Sequence, residues 1–100
     1  MEAFFNKEGG LLSVKVSGRL DTLSSNDLMS KVKENLDDTV KEVAVDCSNL
    51  TYISSSGLRV LMTIYKKIAP KGGALTLRDL TPQVGEVLNI TGMANLFNIE

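Results

Sequence analysis

Cys47-Ser48-Asn49-Leu50-Thr51-Tyr52-Ile53-Ser54-Ser55-Ser56-Gly57-Leu58-Arg59-Val60-Leu61 joins an apolar β-type segment to an amphipathic helical one, with three serines and a glycine at the join. On its amino-terminal side Val43-Ala44-Val45, with Cys47, is short, β-branched and nearly all apolar. That pattern predicts a strand covered on both faces. On the other side the helical period predicts a helix from about Ser56 to Ala69, ended by Pro70 to Gly73. Gly57, Val60, Leu61, Ile64 and Ile68 share one face of it, and Leu58, Met62, Tyr65 and Ala69 form an adjoining stripe. The two stripes span roughly 200°, a wider apolar arc than most surface helices carry. Arg59, Thr63, Lys66 and Lys67 make up its polar side. A strand, a loop from Asp46 to Ser56 and a helix compose one βα step of a parallel sheet.

Working outward, Ala3 to Asn6 and Leu11 to Ser17 flank Gly9-Gly10, which reads as a β-hairpin. Leu12, Val14 and Val16 alternate with Ser13, Lys15 and Ser17, so one face of the second strand is core. A first helix is expected to begin near Leu23 to Asn26, with Ser24, Ser25 and Asn26 as capping candidates. Leu28, Met29, Val32 and Leu36 form its buried stripe. Ala74 to Leu77 reads as another strand. Thr81-Pro82 reads as a cap and first turn, with Val84, Val87, Leu88 and Thr91 on one helical face and Gly92 as the stop. Leu96 to Ile99 adds a short terminal turn or strand. The order β-β-α-β-α-β-α predicts a single α/β domain over residues 1–100. Its sheet is mostly parallel with four to five strands, an N-terminal hairpin and three main helices.

Composition narrows the function. A chain of 100 residues supports one core. A net charge of −1, from 11 basic and 12 acidic residues, supplies no basic surface of the kind that neutralises phosphates, so nucleic acid is not expected. No stretch approaches the roughly 20 apolar residues that span a bilayer, and no signal peptide is read, so membrane insertion is not expected and the cytoplasm is. The single cysteine, Cys47, reads as a buried free thiol in a reducing compartment. The absence of histidine removes the commonest general base and metal ligand. No phosphate-binding glycine loop is present, and no catalytic residue, metal site or cofactor is read from the chain.

In open α/β sheets ligands meet the carboxyl ends of the strands. Three loops are expected there: Gly18 to Thr22, Asp46 to Ser56 and Arg78 to Thr81. The serines allow two compatible readings. One of them caps the second helix while Gly57 permits close packing, and a neighbour offers its hydroxyl at a helix amino terminus, where phosphate is well accommodated. Leu58 and Met62 divide similarly, as core beneath a neighbouring helix or as a partly exposed partner-binding pair. Asp21 reads either as a cap or turn for the first helix or as part of the functional edge. A receiver-like module with Asp46 and Asp79 at strand ends as magnesium ligands is a further alternative.

The stretch Tyr52 to Leu58 resembles the signature of STAS domains, in particular bacterial anti-sigma factor antagonists. Gly18-Arg19-Leu20-Asp21, Lys71-Gly72-Gly73 and Thr91-Gly92-Met93 extend the resemblance over essentially the whole chain. The resemblance implies a non-enzymatic partner switch. Its partner is an anti-sigma factor that is also a serine kinase; binding it releases a sigma factor, phosphorylation breaks the complex, and a serine phosphatase restores it. The phosphorylated serine maps to Ser55, with Ser54 and Ser56 as alternatives, and Ser54 stands where the family carries an acidic residue. The resemblance puts Asp21, Ser54, Ser55, Ser56, Gly57 and Leu58 in the partner-binding set, on a module that is monomeric when free, and the wide apolar arc of the second helix, independently of the resemblance, adds Met62 beside Leu58. The alternative function is a STAS module that binds a small molecule or lipid-related ligand, or regulates a transporter or sensor, without phosphorylation.

Overall fold

The computed structural model describes all 100 residues. β1 (Glu2–Glu8) and β2 (Leu11–Leu20) form the hairpin, followed by α1 (Thr22–Asn35), β3 (Glu42–Ile53) and α2 (Ser55–Ile68). β4 (Leu75–Arg78), α3 (Pro82–Thr91) and a two-residue β5 (Asn98–Ile99) complete the chain. The strands lie in the order β1-β2-β3-β4-β5; β1 runs antiparallel to β2 and the remaining pairs are parallel. This is the mixed α/β sheet expected from the alternation of patterns.

Register aligns the core. Leu12, Val43 and Leu75 sit side by side on neighbouring strands, as do Val14, Val45 and Leu77. These rows face Leu28 and Val32 of α1, Val60, Leu61, Ile64 and Ile68 of α2, and Val84 and Leu88 of α3, in one buried cluster. Each such side chain stabilises the fold by about 1.5–3 kcal/mol through removal from water. All three helices thus cover one face of the sheet. The other face presents Ser13, Lys15, Asp46, Thr76 and Arg78 to a shallow groove or to solvent. β3 is therefore not covered by a layer on both sides. Ala44 is 7% exposed because its side chain is short and its cross-strand neighbours Ser13 and Thr76 close over it.

Two element ends differ from expectation. The segment from Asp46 to Ile53, read as a loop, continues β3 against β2. Lys15 faces Asp46 but Ser17 faces Asn49, and Gly18 faces Leu50 but Arg19 faces Tyr52, so β3 carries an extra residue at each of two bulges. The bulges rephase the strand so that Cys47, Leu50 and Ile53 are buried at intervals of three residues, a spacing that hides a strand from a two-residue period. α1 begins at Thr22, one residue before the expected range, because Asp21, in the capping one of its two readings, and not Ser24, Ser25 or Asn26, caps it.

Candidate functional site

The carboxyl ends of β2 and β3 deliver the starts of α1 and α2 to one edge. The Ser54 amide donates to the Leu20 carbonyl at 2.9 Å, which ties the first residue before α2 to the end of β2. Asp21, the next residue along from Leu20, accepts from the Ser24 amide at 2.9 Å, and its own amide donates to Ser24 Oγ at 2.9 Å. This reciprocal pair is a capping box with serine in the place that glutamate or glutamine usually takes. Ser24 Oγ lies 2.8 Å from the Asp21 carboxylate and 2.9 Å from the Arg19 carbonyl and shares its one proton between them. The Ser24 amide, then the Ser24 hydroxyl, hold the Asp21 carboxyl below its ordinary pKa. Asp21 is therefore a cap that stands at the edge, exposed and ionised.

The three serines separate by role. Ser54 is the cap of α2, half-buried, with Oγ accepting from the Gly57 amide at 3.2 Å. Neither Ser55 nor Ser56 has a hydrogen-bond partner for its hydroxyl in the protein; Ser55, the first helical residue, is exposed, whereas Ser56 is half-buried. Gly57 is buried, and a Cβ there would lie 2.7 Å from Ile53 Cγ1 and 2.9 Å from Leu20 Cδ2. Only glycine lets α2 start this close to the ends of β2 and β3. Leu58 and Met62 are half-buried, packed against the core with part of each side chain at the surface.

The edge also holds residues that the sequence reading did not select. Arg19 and Tyr52 are register partners, and the guanidinium lies 4.2 Å from the ring centroid, within cation–π range. Leu23, in the first turn of α1, is 82% exposed. Arg19 lay within a noted motif and Tyr52 within the quoted stretch, but their pairing depends on the second bulge and is invisible along the chain. Leu23 gave no signal, since one leucine at a helix start is equally compatible with core.

Other candidates lie elsewhere. Asp46 is midway along β3, on the helix-free face, accepting from the Ser48 amide at 2.9 Å, and not at a strand end as the magnesium alternative required. Thr81 precedes α3, but its hydroxyl does not cap that helix; it donates to the Leu50 carbonyl at 2.7 Å and fastens α3 to β3. Cys47 is buried, and desolvation pushes its thiol up to about 12. No helix is long and apolar enough to cross a membrane.

One helical layer on a mixed sheet, with two capped helix starts and an exposed serine at the same edge, is the frame of the site. Residues 5–100 match the family model of the STAS domain, and the chain belongs to that family. It is 30% identical to BtrV of Bordetella bronchiseptica, over 99% of this chain and 85% of that one. It is 32% identical to the anti-sigma F factor antagonist of Paenibacillus polymyxa, over 90% of this chain and 78% of the relative. The anti-sigma factor antagonist SpoIIAA in its unphosphorylated form has the same fold, with a TM-score of 0.86 at 15% identity over 99% of this chain and 88% of that one. A structure of the Bacillus SpoIIAA in the phosphorylated form aligns with a TM-score of 0.78 at 14% identity, over 99% of this chain and 91% of that one.

Proposed function

We propose that this protein is an anti-sigma factor antagonist whose serine edge binds an anti-sigma factor with serine kinase activity, and that phosphorylation of Ser55 dissociates the complex. The observation that carries the reading is the division of labour among the serines. Ser54 holds the helix start, which leaves Ser55 exposed with a free hydroxyl. A phosphate on Ser55 meets the amino-terminal N–H groups and dipole of α2, worth roughly 0.3–1 kcal/mol at an exposed site, so the fold tolerates it. The same group adds about −1.5 to −2 charges to a surface that must be desolvated on docking. Asp21, Ser54, Ser55, Ser56, Gly57, Leu58 and Met62 form or support that surface, and Arg19, Leu23 and Tyr52 extend it.

The direct test is intact-mass and peptide mass spectrometry after incubation with ATP and the host's anti-sigma kinases, with Ser54→Ala, Ser55→Ala and Ser56→Ala alongside wild type. The expected result is one added phosphate that only Ser55→Ala abolishes. A stable complex that never gains phosphate would support constitutive binding instead. Phosphate on Ser56 alone would move the acceptor to that half-buried position.

A further inference from the structure

No carboxylate occurs from Cys47 through Arg78, while that segment holds Arg59, Lys66, Lys67, Lys71 and Arg78. The 12 acidic residues of a chain with net charge −1 all lie outside it. α2 occupies the middle of this acid-free segment, so its solvent side is purely cationic. On a helical wheel of 100° per residue, Arg59, Met62 and Lys66 fall within about 40° of Ser55, one stripe with the serine at its head. Arg59, Lys66 and Lys67 are exposed, and none is in an ion pair. On the adjacent helix α1, the carboxylate of Asp27 is engaged by Lys31 at 3.3 Å. The dipole accounts for Lys66 and Lys67, which lie in the last turn. It does not account for Arg59, nor for a first turn without an acid.

Resting on the functional reading above, we infer that the solvent side of α2 is a cationic docking face for an acidic protein surface. Arg59, Lys66 and Lys67 supply the charge, and the half-buried Leu58 and Met62 supply the apolar contact. The charge complementarity names the occupant, because a strip of three cations with no acid on the helix repels basic surfaces and steers acidic ones. Phosphate on Ser55 then acts on this face directly. Ser55 precedes Arg59 by four residues, the favourable orientation for an anion–cation pair on a helix. Its charge of about −1.5 to −2 cancels half or more of the strip. The switch therefore lowers the attraction for the partner as well as obstructing contact.

The experiment measures association and dissociation rates with the host's anti-sigma kinase at 50 and 300 mM NaCl. Variants are Arg59→Glu with Lys66→Glu, the milder Arg59→Gln with Lys66→Gln, and Lys33→Glu on α1 as a control. The expected result is association slowed about tenfold or more by the glutamate pair at the lower salt, less by the glutamine pair, and a gap that shrinks at the higher salt. Lys33→Glu should match wild type. Rates unchanged or raised in the glutamate pair would overturn the cationic face while leaving the antagonist reading intact. Failure of wild type to bind any anti-sigma kinase of the host would instead overturn the antagonist reading itself. Retention of wild type on a single-stranded DNA oligonucleotide at 50 mM NaCl, lost in the glutamate pair, would also overturn the inference by assigning the face to nucleic acid.

Discussion

At the scale of single residues, position within a cap decides what a side chain is free to do. Ser54 and Ser55 are chemically identical, yet one accepts the Gly57 amide and the other faces water. Ser54→Ala should lower stability by about 1 kcal/mol, the usual cost of a lost cap. Ser54→Asp keeps an acceptor there and adds negative charge at the positive end of the dipole, so its melting temperature should equal or exceed that of wild type. Thermal melts of both variants check this, and equal melting of Ser54→Ala and wild type would remove the capping role. Cys47 is the opposite case, a chemically reactive type made inert by burial. With its thiol pushed up to about 12, the reactive thiolate is scarce at pH 8, and burial bars reagents as well. Labelling by a thiol reagent at pH 8 should be negligible in the native protein and complete in denaturant.

At the scale of elements, two glycines set how closely the segments approach. Gly57→Ala places a Cβ against Ile53 and Leu20, at 2.7 and 2.9 Å, and should cost about 1–3 kcal/mol as α2 is pushed from the sheet. Gly73 is tighter, since a Cβ there would lie 1.6 Å from the Lys41 carbonyl oxygen, which is backbone and cannot swing aside. Gly73→Ala should therefore be the more damaging, seen as the lower denaturation midpoint of the two. The reverse order would mean that the β4 start shifts readily. The Lys71-Gly72-Gly73 match was visible in the chain, but this contact was not, because Lys41 lies more than 30 residues away. The bulges of β3 teach the same lesson. Gly18 and Leu50 belong to one register pair, and nothing in the local pattern around Leu50 announces that its partner is a glycine at φ 89°.

At the scale of the whole molecule, charge placement matters more than charge balance. Asp21, Asp37 and Asp46 are all held below the ordinary carboxylate pKa by hydrogen bonds. Hydrogen bonds from Ser24 act on Asp21, from Lys7 and Thr39 on Asp37, and from Ser48 on Asp46. A depressed folded-state pKa contributes stability that is present above the unfolded value near 3.8 and lost as pH falls through the folded value. The melting temperature should thus show no loss from these groups between pH 7 and 5 and should decline below about pH 4. Asp21→Asn should shallow that decline; an unchanged slope would exclude Asp21 from it. The sequence by itself determined the alternation of elements, the parallel sheet with its hairpin, and the serine–glycine start of α2, because hydrophobic period, turn residues and caps are local properties of the chain. Only the tertiary structure decided which serine caps and which is free. It also showed that the supposed loop is a bulged strand, that Arg19 stacks on Tyr52, and that one face of the sheet is bare. Each of these depends on strand register and close approach between segments distant in sequence, and those are settled by packing, not by any local pattern.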